Sequence, residues 1–242
     1  MQVIAVRTHK IQTDDLLHEV LDQYLVDLKD EDIIVITSKI VSITEGRVVK
    51  KDIIDKKTLV YQEADAVLKS DENFHNFYLT IKNGLLIPSS GIDESNVNNS
   101  YVLYPFNVQK TAAFLWQYLK KQYNLNKLGI VITDSHTTIM RRGVTGIALG
   151  WCGFCPFYSY IGETDIYDQK IKVTQVNILD SLATSAVFVM GEGKEQTPIA
   201  IIKQAPRVVF VNREPSKSEE NMVKIDIEED LYGPLLKAVQ WE

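Results

Sequence analysis

The sequence predicts a fold that combines β-strands and α-helices in one chain. Two apolar runs rich in β-branched residues, 33–36 and 130–132, are typical of buried strands. The dipeptide Asn83-Gly84 separates two further apolar runs and indicates a β-hairpin, because both residues tolerate the positive φ angles of a tight turn. Apolar residues also recur at helical spacing in three longer segments, residues 16–28, 108–123 and 175–188.

The same patterns predict the other elements in chain order. Strands are predicted at residues 2–6, 33–36, 77–81, 85–87, 101–104, 130–132, 199–203 and 208–211, with one more after Gly143. Helices are predicted at residues 16–28 (capped by Thr13 or Asp14), 59–70, 108–123, 175–188 and 228–239 (interrupted by Gly233-Pro234), and a charged loop at 212–221. The sequence shows no repeat or low-complexity linker. We therefore predict one domain over residues 1–242 and leave a division into two lobes open.

The composition excludes several classes of function. The 242 residues carry a formal net charge of −6. A dedicated nucleic-acid binder needs a positive surface, whereas an acidic protein can still bind phosphates when metal ions bring the positive charge. The sequence shows no apolar run long enough to span a bilayer and no signal peptide, so we expect a cytoplasmic protein without nucleic-acid or membrane partners.

The segment 128–150 carries the densest set of reactive side chains. A loop that only connects two strands does not need a carboxylate, a histidine and two guanidiniums. The alternative is a carboxylate that ends a strand at a turn, beside solvent-facing arginines, and this segment alone does not separate the two interpretations. The side chains are Thr133, Asp134, Ser135, His136, Arg141 and Arg142.

The strand at 33–36 also ends in polar residues, Thr37, Ser38 and Lys39. A hydroxyl, an ammonium group and free backbone amides at a strand end can bind phosphate oxygens. On this evidence alone, an ordinary strand-to-helix junction is the favoured interpretation.

Familiar nucleotide and hydrolase motifs are absent from the sequence. Gly191-Glu-Gly-Lys194 lacks the glycine spacing of a Walker loop, and Glu195 follows the lysine where a Ser or Thr is required. Neither Gly-x-Gly-x-x-Gly nor Gly-x-Ser-x-Gly occurs. Cys152 and Cys155 have no second pair of zinc ligands and are predicted to be reduced thiols.

Four segments together resemble one family, the coenzyme F420-0:γ-glutamyl ligases, in order and spacing over nearly the whole chain. The pair Gly-Ile-Asp-x-Ser-Asn and Ile-Thr-Asp-[Thr/Ser] is the most specific part. The segments are Ile36-Thr-Ser-Lys-Ile-Val-Ser-Ile-Thr-Glu-Gly-Arg47, Ser90-Gly-Ile-Asp-Glu-Ser-Asn96, Val131-Ile-Thr-Asp-Ser135 with Arg141-Arg-Gly143, and Val189-Met-Gly-Glu-Gly-Lys-Glu-Gln-Thr-Pro198.

The resemblance implies an α+β fold of mixed sheets with flanking helices, in an intertwined homodimer with the site in a groove between subunits. It also implies a ligase that uses GTP, with Mg or Mn and stimulation by K⁺, to join L-glutamate to a carboxylate acceptor. Carried over to this sequence, the metal ligands are Asp93, Asp134, Ser135 and Glu195, and the GTP contacts are Ser38 and Asn96. We add Lys39, Lys10 and Glu192 as candidate nucleotide contacts, and Asp134, His136, Arg141 and Arg142 as candidate catalytic residues.

These residue types suit the implied chemistry. A carboxylate needs activation before it forms an amide, and GTP can supply that activation as an acyl phosphate. Phosphoryl transfer depends on positioning and cations, and hard carboxylate oxygens suit Mg or Mn. A guanidinium of Arg141 or Arg142 can hold a carboxylate or phosphate as a bidentate fork.

The sequence departs from the family pattern at three places. Ile43 occupies the position of a second lysine, residues 136–141 replace Phe-Gly-Arg-Pro-Trp-Arg, and residues 7–11 replace a nucleotide loop with Pro-Glu. The metal carboxylates are kept, whereas residues expected to face the acceptor or the guanine differ. We therefore expect the same reaction with a folate-like acceptor in place of a deazaflavin.

Three other functions stay open at the level of sequence. Ile43 favours a nucleotide- and metal-binding homologue that lacks ligase activity. The same carboxylates are compatible with a metal-dependent phosphohydrolase. A structural or interaction module is the third alternative.

Overall fold

A computed structural model describes residues 1–69 and 77–242, and its mixed sheets with flanking helices agree with the predicted α+β class. The strands are β1 (Gln2–Val6), β2 (Asp32–Thr37), β3 (Val48–Lys50), β4 (Ala66–Val67), β5 (Leu79–Lys82), β6 (Leu85–Pro88), β7 (Ser100–Val102), β8 (Leu128–Thr137), β9 (Val144–Cys152), β10 (Phe157–Ser159), β11 (Gln175–Asn177) and β12 (Ile199–Lys203). The helices are α1 (Leu17–Tyr24), α2 (Ser38–Thr44), α3 (Lys56–Glu63), α4 (Val108–Gln122), α5 (Ile178–Met190), α6 (Lys217–Met222) and α7 (Gly233–Lys237).

The central sheet has five strands in the order β1-β12-β2-β8-β9, and β2 and β8 are its parallel pair. The register pairs Ile36 with Ile132, Ile36 with Ile199, and Ile199 with Val6. These pairings bring the ends of β1 and β2, the middle of β8 and the start of β12 to one edge of the sheet. The segments that leave the sheet there are the ones that form the site.

Helices cover both faces of the central sheet, which explains why its strands are apolar without alternation. Ile34 and Ile130 face α1, α2 and α4, and pack with Leu115. Val35 and Val131 face α5 on the other side. Buried on both faces, β2 and β8 form a rigid support for the polar residues at their ends.

Two smaller sheets pair β3 with β7 and β4 with β5 and β6. They enclose a separate apolar cluster that includes Val60, Ile92 and Leu103. Asp93 follows Ile92, and its backbone exchanges two hydrogen bonds with the backbone of Val102, with N···O distances of 2.9 and 2.8 Å. Asp93 is therefore held by its backbone at the border of this cluster.

Several predicted elements are confirmed. β1 and β12 span residues 2–6 and 199–203 as predicted, and α4 begins after Asn107, whose side chain accepts a hydrogen bond from the Lys110 amide. The predicted hairpin joins β5 to β6, with φ angles of 52° at Asn83 and 76° at Gly84.

The predicted helix at 16–28 is too long. α1 ends at Tyr24, because Leu25 already has an extended conformation, although both Leu25 and Leu28 are buried. The predicted caps Thr13 and Asp14 are also wrong, since Leu16 holds the cap position and makes no side-chain cap hydrogen bond.

Two further helices differ from the prediction. The helix predicted at 59–70 is shorter than expected, because α3 ends at Glu63 and is followed by the strand β4. Residue 70 lies outside the described residues. The helix predicted at 175–188 spans Ile178–Met190 and is preceded by β11.

The C-terminal part also differs. Residues 208–211 form no strand but a single bridge between Phe154 and Phe210. α6 begins within the predicted charged loop, where Ser216 and Glu219 form a capping box. α7 begins at Gly233 because Pro234 is favourable in the first turn of a helix and unfavourable in its interior. Within residues 1–69 and 77–242, no helix combines the length and apolarity needed to cross a membrane.

Candidate functional site

An open cleft of about 790 Å³ lies at the edge of the central sheet described above. It is lined by parts of five segments: residues 8–13 after β1, 37–40 at the β2–α2 junction, 93–98, 133–135 of β8, and 190–198 between α5 and β12. Three of these segments adjoin strand ends at the same edge of the central sheet, and residues 133–135 lie beside them within β8. The topology of that sheet therefore explains why such distant parts of the sequence share one cleft.

The parallel pairing of β2 and β8 places Ser38 beside Asp134. The Ser38 hydroxyl donates a hydrogen bond to Asp134 Oδ2 at 2.8 Å, and the Ser135 amide donates to Oδ1 at 2.8 Å. Burial raises the pKa of Asp134 to about 6, although these two hydrogen bonds act in the opposite direction, and the nearby Asp93 carboxylate raises the pKa further. Asp134 is thus a half-buried acid whose pKa is raised above its ordinary value.

Asp93 has a cationic partner. Lys39 Nζ lies 2.6 Å from Asp93 Oδ2 and 2.9 Å from Ser95 Oγ, and the Ser95 amide donates to Asp93 Oδ1 at 2.6 Å. Burial acts to raise the pKa of Asp93, but the attraction of Lys39 and the hydrogen bonds from Lys39 and Ser95 hold that pKa below its ordinary value. The environments of Asp93 and Asp134 therefore push their pKa values in opposite directions, a pattern that is frequent in active sites.

The glycine-containing loop before β12 forms the opposite wall. The Asn96 side-chain amide donates to the Gly193 carbonyl at 2.9 Å, which links the two walls. Glu195 accepts a hydrogen bond from the Gly193 amide at 2.8 Å, so its carboxylate is turned into its own loop. Burial raises the pKa of Glu192, and the Asp134 carboxylate raises it further. Glu192 is therefore electrostatically coupled to the aspartates.

The structure brings most of the predicted site residues together in this cleft. Ile43, which replaces a family lysine, also lines it. The predicted residues that line the cleft are Lys10, Ser38, Lys39, Asp93, Asn96, Asp134, Ser135, Glu192 and Glu195.

Three predicted catalytic residues lie outside the cleft of their own chain. β8 does not end at residue 132 as predicted but continues to Thr137, with a shift of register after Ile132. His136 pairs with Thr145 across the β8–β9 hairpin, and its Nδ1 lies 3.1 Å from the Thr145 carbonyl oxygen. Arg141 and Arg142 are exposed in the connecting turn, residues 138–143.

Sequence reasoning missed two parts of the site. Ser95 joins Asp93 to Lys39, and the Asp-x-Ser spacing of a local side-chain turn was the available signal. Around Lys10, the neighbouring residues Thr8, His9 and Gln12 also line the cleft. Their position depends on the pairing of β1 with β12, which the local sequence does not reveal.

The donor chemistry of the cleft suits a hard divalent cation. Asp134 is half-buried close to a second carboxylate and is in no salt bridge within the described residues. Carboxylate and hydroxyl oxygens from Asp93, Asp134 and Ser135 are ligands that Mg and Mn accept. Residues 1–69 and 77–242 contain no preformed group of three His, Cys, Asp or Glu side chains in a metal-binding arrangement. A cation would also compete with Lys39 for Asp93.

Comparisons with known proteins point to one family. The family model described as F420-0:Gamma-glutamyl ligase matches residues 5–204. A coenzyme F420:L-glutamate ligase of Methanococcus maripaludis strain C7 is 34% identical over 223 residues, which cover 85% of this chain and 89% of that protein. The ligases of the same name from Methanocaldococcus jannaschii and Methanosarcina acetivorans are 32% and 31% identical, over 78% and 84% of this chain and 81% and 86% of their own lengths. The chain therefore belongs to the F420-0:γ-glutamyl ligase family.

Proposed function

We propose that this chain is a GTP-dependent γ-glutamyl ligase that joins the amine of L-glutamate to a carboxylate acceptor. Membership of the ligase family supports the reaction class. One structural observation supports the proposal most: Asp93 and Asp134, from distant segments, line one cleft with Ser38 and Lys39. These are the residue types that a metal-bound triphosphate requires.

The proposed reaction has two steps. A carboxylate oxygen of the acceptor attacks the γ-phosphorus of GTP, GDP leaves, and an acyl phosphate forms. The glutamate amine then attacks the acyl carbon, phosphate leaves, and a carboxylate accepts the proton that the amine loses. Glu192 is our candidate for this base, because it lines the cleft beside the aspartates and its raised pKa makes it a stronger base than an ordinary carboxylate. Lys39 and the Ser38 hydroxyl would position phosphate oxygens.

In this proposal, Asp93, Asp134 and Ser135 hold Mg or Mn, which supplies positive charge against the phosphates. Lys39 would then leave Asp93 and move to a phosphate oxygen. Glu195 stays a proposed ligand, but it reaches a metal only if it releases the Gly193 amide. Stimulation by K⁺ stays a prediction.

We further propose that the protein is a homodimer in which the β8–β9 turn serves the other subunit. Arg141 and Arg142 lie outside the cleft of their own chain, and in a dimer the exposed turn that carries them would be available to the cleft of the second copy. The same applies to His136. The guanidiniums would bind the carboxylates of glutamate or of the acceptor.

Glutamylation assays with tetrahydropteroate, folate and the deazaflavin F420-0 as parallel acceptors test this function. We expect glutamate-dependent phosphate release and a faster reaction with a folate-type acceptor, because Ile43 and residues 8–13 change the cleft surface relative to the family pattern. If only the deazaflavin is turned over, the proposed folate-type acceptor is wrong, whereas the proposed ligase activity still holds. Phosphate release without glutamate would indicate a hydrolase, and GTP binding without turnover an inactive homologue.

A further inference from the structure

The loop formed by residues 8–13 is held in shape by side chains that the proposed reaction does not use. The ring of His9 lies between two partners, with Nδ1 2.9 Å from the Tyr24 hydroxyl oxygen and Nε2 3.0 Å from Asp15 Oδ2. The Tyr24 hydroxyl also accepts the backbone N–H of His9 at 2.9 Å. Asp15 Oδ2 also accepts the backbone N–H of Gln12 at 2.7 Å. Two amides of the loop are thus satisfied by one tyrosine and one aspartate.

Counting donors and acceptors gives this network one consistent arrangement. The Tyr24 oxygen accepts hydrogen bonds from the His9 amide and, at 3.3 Å, from the Gln23 side chain, so its own proton is available to His9 Nδ1. His9 Nε2 then carries the ring proton and donates it to Asp15. The Gln12 amide holds the pKa of Asp15 below its ordinary value, against a small opposing effect of burial and with help from His9. Asp15 is therefore a charged acceptor for both donors.

The network joins the helix α1 to the opposite wall of the cleft. Tyr24 is the last residue of α1 and packs against the main apolar cluster, so its hydroxyl is fixed by the core. On the other side of the loop, the Thr8 amide donates to the Gln196 carbonyl at 3.0 Å. The carbonyl of Lys10 accepts a hydrogen bond from the Gln12 side chain at 3.1 Å. The loop is therefore tied at both ends and in its middle.

We propose that Tyr24, His9 and Asp15 are positioning residues that keep residues 8–13 preformed as the nucleotide-binding wall of the cleft. This inference rests on the proposed function, since it assigns the nucleotide to this wall. A preformed wall lowers the ordering cost of binding, so loss of the network weakens nucleotide binding more than it slows the chemical step. Tyr24 and Asp15 act through the loop, whereas His9 and Lys10 also line the cleft.

The first test is amide hydrogen exchange in Tyr24→Phe, which removes one hydroxyl and keeps the aromatic packing. We expect the peptide that contains residues 8–12 to exchange at least about fivefold faster than in the wild type, because the His9 amide loses its acceptor. Tyr118→Phe is the matched control, since the Tyr118 hydroxyl donates to Asp22, away from the loop. Unchanged exchange in Tyr24→Phe would overturn the inference.

The second test separates positioning from general damage. In Tyr24→Phe, and in Asp15→Ala at the other end of the network, we expect the KM for GTP to rise about tenfold, while kcat and the KM for glutamate change less than about twofold. Equal losses in all three parameters, or an unchanged KM for GTP beside faster exchange, would contradict the positioning role.

The two proposals fail in different ways. A wild-type protein whose melting temperature does not respond to GTP with Mn would overturn the proposed function and the assignment of the wall to a nucleotide. The exchange measurement needs no ligand, so it decides on the network in either case.

Discussion

The cleft edge around Asp134 and the turn at residues 138–143 come from one polar stretch of sequence but have opposite surroundings. Asp134 is half-buried, lies beside Ser38 at the end of the parallel strand β2, and is affected by the charge of Asp93. In the turn, Met140 is 96% exposed and both arginines face solvent. The difference teaches that a dense run of reactive residues becomes a site only where the sheet topology brings other segments to it.

The geometry of a strand explains the separation. Each residue advances the chain by roughly 3.3 Å, so Thr137 lies about 10 Å beyond Asp134, and the turn lies farther still. β8 and β9 pair beyond the edge of the cleft and project the turn away from β2. Only Thr133, Asp134 and Ser135 of this stretch line the cleft.

Asp134→Asn is the change with the largest expected effect on this comparison. It keeps the shape of the side chain and removes a charge that the proposed metal requires. We expect kcat to fall by at least about a hundredfold with no loss of thermal stability. Steady-state assays of phosphate release measure the effect, with the exposed Asp52→Asn as the control. Full turnover in Asp134→Asn would remove this residue from the site.

The double variant Arg141→Ala, Arg142→Ala tests the turn. We expect activity to fall on the order of thirtyfold, which corresponds to the loss of about 2 kcal/mol of charged hydrogen bonds to the substrates. The melting temperature should not change, because both side chains are exposed. After co-refolding with Asp134→Asn, mixed dimers would have one complete site, so about a quarter of the wild-type activity should return. No recovery would contradict action across subunits.

Ser38→Ala should have a smaller effect than either change. The variant removes the hydroxyl that donates to Asp134 and leaves that half-buried carboxylate with one hydrogen bond fewer. We expect a loss of activity of about fivefold, in line with one hydrogen bond. The pH profile should also shift upward, because that hydrogen bond lowers the pKa of Asp134. A profile identical to that of the wild type would show that Ser38 does not act on Asp134.

The smallest expected effect is on how the thermal stability of the protein depends on pH, measured after a chelator has removed any bound metal. The folded pKa of Asp134 is about 6, above the ordinary value of 3.8. Its stabilising contribution is therefore complete below the unfolded pKa and is lost as pH rises through about 6. The melting temperature of the wild type should fall relative to Asp134→Asn between these pH values, by a few degrees. The arginine variants should follow the wild type at every pH, and an equal response in Asp134→Asn would contradict the assigned pKa.

Local patterns predicted the parts of the fold that depend on neighbours in sequence. The hairpin at Asn83-Gly84 and the buried strands β2 and β8 follow from turn chemistry and apolar runs. Helix ends were harder to predict, because Leu25 and Leu28 lie outside the helix α1 and yet are buried and spaced as in a helix. Burial alone produces the same residue pattern there as a helix does.

The site was predictable as a set of residue types and not as an arrangement. Polar residues after β2 and within β8 were visible in the sequence, but the Ser38–Asp134 contact requires these two strands to be parallel neighbours. The resemblance to a known family supplied Asp93, whose position no local pattern reveals. The continuation of β8 past Ile132, which places His136 opposite Thr145 in the β8–β9 hairpin, has no sequence signal either.

Calorimetric titration of GTP in the presence and absence of Mn tests the central claim most directly, in the wild type and in the single variants Asp93→Asn and Asp134→Asn. If the two carboxylates share a metal that carries the triphosphate, the wild type binds GTP tightly only with Mn, and each variant loses at least about tenfold in affinity. Wild-type affinity for Mn and GTP in both variants would contradict it.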